Sequence, residues 1–369
     1  MRVATNYAWI TLGIAIVILY GSFYPFGFYA HQDPRGPFGV LLGNGFGLAS
    51  REDVVANILL YLPFGFFAAC ALEMPILAAL AFATLSGFAL SLFVELFQFY
   101  DVGHVQSLSD VGSNTFGAFL GAAAGIAARL RLSSVSLALL LACWLGSRWY
   151  PASTTSSIPL LDLFRFFVAW LTFGWMLEAL CGAPRSRFLL PMFLCVSLLA
   201  RGIAVNIEPA EILGGAAAAL VWCIVLWRRP ERVRIAATLI VTLVVLLALA
   251  PFRFAAPTHA FGWIPFAGFL DAGRETAIRV FFEKVFFYGS MIALLVRAGF
   301  SYGAAAALGG TLVFCLRMIQ VYLPGRSAEI TDATVVLMLA AMMKMVSLAR
   351  RNDWVGGKSQ NTRLAADER

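Results

Sequence analysis

The sequence predicts an all-α membrane protein, a polytopic helical bundle of about twelve transmembrane helices. Three observations support this prediction. Of the 369 residues, 61% are hydrophobic and only 13% are charged, with a mean hydropathy of +0.83, whereas soluble domains carry about 25% charged residues. Apolar runs of about 18 residues or more recur along the chain, and most basic residues lie in short clusters between them. This composition excludes a cytosolic enzyme, a disordered chain and a secreted disulfide scaffold.

The apolar runs, taken in chain order, predict twelve spans, of which the fifth is short. The first is not followed by a small-residue cleavage site, so we interpret it as an uncleaved span rather than a signal peptide. The polar segment 350–369 is predicted to be a disordered cytoplasmic tail. The spans lie near residues 7–28, 53–73, 76–99, 109–130, 134–150, 160–181, 187–206, 209–228, 233–252, 277–297, 300–323 and 331–349.

The distribution of Arg and Lys predicts the orientation. With a cytoplasmic N-terminus, sixteen basic residues fall in inner loops and tails and eight fall in outer loops. Cytoplasmic loops carry an excess of basic residues, so both termini are predicted to be cytoplasmic. The same clusters account for the net charge of +7, and no nucleic-acid partner is predicted.

The spans repeat in groups of four. Four polar residues around the third and fourth spans recur 222 positions later. The first set is Glu95, Gln98, His104 and Asp110, and the second is Arg317, Gln320, Arg326 and Asp332. Arg201 occupies a comparable place in the middle group. The repeat predicts three four-helix units, at 1–131, 132–230 (degenerate) and 231–349 (diverged), in parallel orientation because each has an even number of spans.

Charged residues inside apolar helices are costly and are candidates for function. Glu95 is the strongest, because a carboxylate reaches the interface less easily than an arginine. One interpretation has Glu95 facing Arg201 or Arg317 across an outward-open cavity, and the alternative has each reach the outer interface alone. The candidate ligand-binding residues are Asn57, Glu95, Gln98, His104, Asp110, Asn114, Arg201, Arg317, Gln320, Arg326 and Asp332.

Several motifs also have a purely structural interpretation. The segment Ser107–Asp110 has the spacing of a capping box, in which Asp110 would stabilise a helix start. Gly117, Gly121 and Gly125 have the G-x-x-x-G spacing that lets helices approach closely. Pro63 is predicted to break or kink the second span. The six cysteines lie in apolar stretches and are interpreted as packing residues, so no metal site or cofactor is predicted.

Three motifs together resemble the VanZ-like family over about residues 10–130. They are Asp53-x3-Asn57 with an apolar run ending in Pro63-Phe64-Gly65, Glu95-x2-Gln98, and Ser109-Asp110-x3-Asn114-x2-Gly117-x3-Gly121. Residues 231–349 resemble a diverged copy with Arg317 in place of the glutamate. The family usually has an arginine in the polar loop where this chain has His104.

The resemblance implies a bacterial cell-envelope protein of the cytoplasmic (inner) membrane with its polar loops outside. Founding members are associated with resistance to the glycopeptide teicoplanin, and others resemble accessory proteins of exopolysaccharide export. We favour a non-enzymatic protein that binds a lipid-linked glycan or other envelope lipid at its outer face. The alternatives are a secondary transporter or lipid flippase, and a membrane-embedded enzyme with Glu95 and Asp110 as acid and base. Membrane lipids and envelope-biogenesis membrane proteins are the other expected partners.

Overall fold

The computed structural model describes residues 2–30, 33–47, 50–101, 104–131, 134–148, 159–204, 208–227, 229–257, 260–270 and 274–367, and most of them are α-helical. Only the backbone is described for residues 2–3, 52, 129–131, 203–204, 274–277 and 350–367. The chain divides into two compact units, unit 1 (Met1–Leu132 with Lys344–Arg369) and unit 2 (Ser133–Met343). The predicted groups 132–230 and 231–349 both fall largely within unit 2, and their separation stays a prediction.

Unit 1 contains five helices before residue 132 and one very small sheet. The two strands are antiparallel, with Arg2 opposite Glu73 and Val3 opposite Leu72. The elements are β1 (Arg2–Val3), α1 (Thr5–Phe23), α2 (Gly36–Asn44), α3 (Arg51–Ala71), β2 (Leu72–Glu73), α4 (Ile76–Gln98) and α5 (Leu108–Arg131).

Unit 2 begins with a short helix and includes the first part of the last one. The elements are α6 (Val135–Ser147), α7 (Pro159–Cys181), α8 (Ala183–Ala204), α9 (Pro209–Val221) with a π-helical turn (Trp222–Leu226), α10 (Arg232–Leu249), α11 (Ala267–Leu270), α12 (Arg274–Arg297), α13 (Tyr302–Ile319) with a 3-10 turn (Gln320–Tyr322), and α14 (Thr331–Asp367).

The all-α membrane class is confirmed. Within the described ranges, ten helices are long and apolar enough to cross a membrane. Two predicted spans are helices that fall outside this set. The fifth, α6, has 13 residues, which is about 20 Å at ~1.5 Å per residue and shorter than a bilayer core of ~30 Å. The tenth, α12, carries Arg279, Glu283 and Lys284 along its length.

Two sequence predictions differ from the structure, and a third differs in part. Pro63 lies inside α3 without ending it, so the predicted break is absent, while the predicted kink stays a prediction. The predicted loops 29–52 and 253–276 contain the short helices α2 and α11. The predicted disordered tail continues α14 as far as Asp367, because extending an existing helix is far easier than nucleating a new one.

The contact between α3 and α5 organises unit 1. A Cβ atom at Gly121 would lie 2.0 Å from the carbonyl oxygen of Leu62, and one at Gly117 would lie 2.3 Å from that of Ile58. On the facing helix, a Cβ atom at Gly65 would lie 1.9 Å from the carbonyl oxygen of Ala118. Only glycine permits this backbone approach, so the close packing predicted from the G-x-x-x-G spacing is confirmed.

The core of unit 2 surrounds α7, whose apolar window is 72% buried. Phe166, Trp170 and Phe173 are fully buried on this helix. Aromatic side chains bury a large apolar area each, so α7 is the central helix of its unit. By contrast, α4 of unit 1 keeps Leu77 and Leu85 more than half exposed, which is the behaviour of a helix that contacts lipid.

Candidate functional site

Three helices of unit 1 bring six polar side chains together. We call them the N-terminal polar cluster: Asn57, Tyr61, Ser91, Glu95, Asp110 and Asn114. Each helix contributes two residues four positions apart, which places each pair on one face of its helix.

Hydrogen bonds join the helices within this cluster. The Asn57 amide donates to Oδ1 of Asp110 over 2.8 Å, which links α3 to α5. The Asn114 amide donates to the Ser91 hydroxyl over 2.9 Å, which links α5 to α4. The cluster therefore unites four predicted site residues, namely Asn57, Glu95, Asp110 and Asn114.

Glu95 lies near the end of α4 and is 3% exposed. Its Oε2 accepts the backbone N–H of Ser107 over 2.9 Å, and its backbone oxygen accepts the side-chain amide of Gln106 over 2.6 Å. Glu95 thus binds the N–H group that a capping box would have directed to Asp110. The reciprocal bond of a capping box is not made by Asp110, because its carboxylate is held by Asn57 instead, but Asp110 does lie in the first turn of α5. A complete capping box begins α3, with Ser50 and Asp53.

The cluster has hydrogen-bonding capacity that the described residues do not use. Oδ1 of Asn114 is buried and has no hydrogen-bond partner among the described groups, and Asn114 is 5% exposed. The hydroxyl of Tyr61, a residue that is 1% exposed, interacts with the Ser91 side chain and lies near Glu95. Native structures leave few buried polar atoms unpaired. No described Lys or Arg forms an ion pair with Glu95 or Asp110, although their carboxyl groups interact with each other.

An apolar groove lies beside the cluster, between α4 and α5. Its volume is about 530 Å³. The lining includes Phe46, Thr84, Phe88, Val111, Gly112 and Phe119. On α4, Thr84 and Phe88 continue along the helix into Ser91 and Glu95 at intervals of three or four residues, so one helix face carries both the groove and the cluster.

The other predicted residues of unit 1 lie next to this cluster with partners of their own. The Gln98 amide donates to the carbonyl oxygen of Ser22 over 3.1 Å. His104 pairs with Asp101, its Nδ1 lying 3.1 Å from Oδ2. Asp101 is 2% exposed, and the sequence analysis did not select it. The described partner of His104 is therefore Asp101, which lies outside the N-terminal polar cluster.

Unit 2 holds a second group, the C-terminal polar cluster: Lys284, Tyr288, Arg317, Gln320 and Asp332. Asp332 accepts from the Lys284 ammonium over 2.7 Å and from the Tyr288 hydroxyl over 2.6 Å. Arg317 forms an ion pair with the same carboxylate and donates to Gln320 over 2.6 Å. Arg317 and Asp332 therefore bind each other.

Two predicted residues secure the end of α10. The Gln320 amide donates to the carbonyl oxygen of Ala248 over 2.7 Å. Arg326 donates through Nε and Nη2 to the carbonyl oxygen of Ala250, over 2.9 and 2.6 Å. Burial, followed by the charge of Arg317, lowers the pKa of Arg326, which still stays protonated at neutral pH. Basic side chains commonly bind the last carbonyl groups of a helix in this way.

Arg201 belongs to a third group, which the sequence analysis did not recognise. We call it the arginine–glutamate network: Arg148, Arg165, Arg201, Arg279, Glu211 and Glu283. Arg201 pairs with Glu211, a residue in the first turn of the next helix. Arg148 is 2% exposed and lies 2.6 Å from Glu283 and 3.7 Å from Glu211. One feature of the sequence does point to this network. Arg148, Arg165 and Arg279 fall on the predicted outer side of the membrane, where basic residues are scarce.

The fold and these clusters define a multi-pass membrane protein of helical bundles, with a buried polar cluster beside an apolar groove. Residues 8–129 match the family described as VanZ/LLP1. The chain therefore carries an N-terminal VanZ-like domain, as the motifs around Asn57, Glu95 and Asp110 predicted. Neither the search of curated proteins nor the search of solved structures found a match.

Proposed function

We propose that the VanZ-like domain binds an envelope lipid, with its chain in the apolar groove and its polar head at the N-terminal polar cluster. The observation that carries this proposal is the continuity of groove and cluster along α4, from Thr84 and Phe88 to Ser91 and Glu95. Ligand sites are typically concave and apolar with a few polar groups that fix orientation. The groove meets this description.

The dimensions suit a hydrocarbon chain. The groove follows α5 from Leu108 to Phe119, a distance of about 17 Å at ~1.5 Å per residue. In the orientation predicted by the Arg and Lys distribution, its polar end lies at the outer face of the bacterial inner membrane. There it would meet lipid-linked glycans, which connects the protein to glycopeptide resistance or exopolysaccharide biogenesis.

The proposal includes residues 231–349 as a diverged copy of the same domain. A groove of about 300 Å³ lies between α13 and α14. Six of its lining residues stand 222 positions after lining residues of the first groove: Ala306, Gly310, Ile330, Ala333, Thr334 and Leu337. Gln98 and Gln320, which also stand 222 positions apart, each donate to a carbonyl oxygen near the end of another helix, that of Ser22 in α1 and that of Ala248 in α10. These correspondences support the predicted repeat.

Filling the groove tests the proposal. Gly112 lines the groove, and a Cβ atom there would meet no other atom within 4 Å. Gly112→Phe should therefore fold while its ring occupies the space of the lipid chain. Each displaced CH₂ group loses about 0.8 kcal/mol of burial, so lipid binding should fall by about tenfold or more.

Gly13→Phe is the matched control, because Gly13 is an exposed helical glycine on α1 with equally open space. Native mass spectrometry of the purified variants in mild detergent measures the bound lipid. Lipid adducts on wild type and Gly13→Phe that are lost from Gly112→Phe support the proposal. Equal adducts on Gly112→Phe, or none on any of the three proteins, contradict it.

A further inference from the structure

We infer that the polar head bound by the N-terminal polar cluster carries a primary ammonium group. This assignment rests on the proposed lipid-binding function and specifies its ligand. It depends on how the two polar clusters of the chain compensate the charges of their carboxylates.

The C-terminal polar cluster supplies its own cation. The Lys284 ammonium lies 2.7 Å from Oδ1 of Asp332, and Arg317 pairs with Oδ2 of the same carboxylate. The Tyr288 hydroxyl, one helical turn after Lys284, donates to Asp332 as well. This arrangement is complete, since the carboxylate receives two cations and one hydroxyl.

The N-terminal polar cluster has the same framework without the cations. Asn57 donates to Oδ1 of Asp110 over 2.8 Å, as Lys284 does to Asp332. Tyr61 follows Asn57 by four residues, as Tyr288 follows Lys284, and the repeat places Glu95 at the position of Arg317. Two carboxylates thus replace one carboxylate and two cations.

The hydrogen-bond acceptors of the cluster favour a donor-rich cation. Oδ1 of Asn114 is a buried acceptor without a described partner, and the carboxyl groups of Glu95 and Asp110 lie in the same cluster. A primary ammonium brings three N–H donors and one positive charge. A neutral sugar hydroxyl brings no positive charge to the two carboxyl groups, and a head with only negative charge would be repelled by them. No three described His, Cys, Asp or Glu side chains are grouped to hold a metal ion.

Three lipids with identical acyl chains test this assignment on the wild-type protein: phosphatidylethanolamine, its N-acetylated form and monoglucosyl diacylglycerol. Their binding is measured by native mass spectrometry at matched concentrations. Phosphatidylethanolamine should bind more tightly than the other two by about tenfold or more, because only it forms charge-assisted hydrogen bonds with the carboxylates. Equal binding of the N-acetylated lipid or of the glycolipid would overturn the assignment.

A substitution in the protein tests the same assignment by changing the site instead of the lipid. Asn57→Lys places an ammonium where Lys284 stands in the other cluster, so the site neutralises itself and should lose its preference for phosphatidylethanolamine. Asn57→Gln is the control, because it keeps a neutral amide donor and should keep the preference. An unchanged preference in Asn57→Lys would contradict the assignment.

Gly112→Phe separates failure of this assignment from failure of the proposed function. If all three lipids bind equally and Gly112→Phe removes them all, the groove binds lipid and the ammonium assignment is wrong. If Gly112→Phe leaves the binding of phosphatidylethanolamine unchanged, the proposed function itself is wrong.

Discussion

At the scale of single residues, charge compensation determines which side chains meet. Glu283 accepts from Arg148 over 2.6 Å and from Arg165 over 2.9 Å, and Nη1 of Arg279 lies 3.9 Å away. Three guanidinium groups therefore surround one carboxylate that is largely removed from solvent.

Neutralising this carboxylate should destabilise unit 2. Removing one partner of a buried ion pair typically costs about 3–5 kcal/mol, because the remaining charges lose their compensation. Glu283→Gln should therefore lower the apparent melting temperature of the purified protein in detergent. Glu73→Gln changes an exposed carboxylate and serves as the control. Equal melting temperatures for the two variants would contradict the claim that Glu283 stabilises unit 2 by compensating the charges of the surrounding arginines.

The sequence predicted the members of the N-terminal polar cluster better than those of the arginine–glutamate network. Asn57, Glu95 and Asp110 stand at fixed spacings within motifs, and their positions on predicted helices bring them together. Arg148 follows the last residue of α6 and Arg165 lies in the second turn of α7. The prediction of orientation from Arg and Lys treated both as residues of an outer loop. Their burial depends on tertiary contacts with α12, which no local spacing reveals.

At the scale of helices, glycines determine how closely two backbones approach. Gly121 faces Leu62 and Phe66 of α3, where a Cβ atom would meet backbone atoms of both residues within 2.9 Å. Gly112 of the same helix faces open space. Substituting each of these two glycines by alanine therefore separates the effect of helix packing on stability from the effect of helix propensity.

Gly121→Ala should weaken the contact between α3 and α5. Overpacking of this kind costs about 1–3 kcal/mol, and the upper end applies because the contacted atoms belong to the backbone. Gly112→Ala should leave stability unchanged or raise it slightly, since alanine favours helix. Thermal unfolding of both variants in detergent measures the difference, and equal stability would contradict the packing described for Gly121.

Helix positions were predictable where apolar runs are long. The ten candidate spans all lie at predicted runs, because every residue of such a run favours burial in lipid or protein. The short helices α2 and α11 lie in polar loops and carry no periodic signal that distinguishes them from turns. The extension of α14 beyond residue 349 is a continuation of backbone hydrogen bonding, which composition does not reveal.

At the scale of the whole chain, alternation of helix direction determines the topology. The arginine–glutamate network joins the end of α6 to the start of α7, and the end of α8 to the start of α9. These contacts bring the end of α6, the start of α7, the end of α8 and the start of α9 together within unit 2, so α7 and α8 run in opposite directions. That α6 also reverses the chain stays a prediction.

Reporter fusions test the predicted orientation. Alkaline-phosphatase fusions after residues 105, 207 and 327 should be active, because all three positions are predicted to lie outside. Green-fluorescent-protein fusions after residues 132 and 298 should fluoresce, since those loops are predicted to be cytoplasmic. A fluorescent fusion after residue 207 would contradict the predicted orientation, in which α6 crosses the membrane, because every loop after α6 would then change sides.

The central claim is that groove and N-terminal polar cluster form one lipid site. Native mass spectrometry of wild type beside Glu95→Gln tests it most directly, because glutamine can still accept the N–H of Ser107 while removing the charge. Glu73→Gln is the control for loss of a carboxylate elsewhere. The account predicts adducts of one lipid class on wild type and Glu73→Gln that are lost from Glu95→Gln. An adduct-free wild type, or equal adducts on Glu95→Gln, would contradict it.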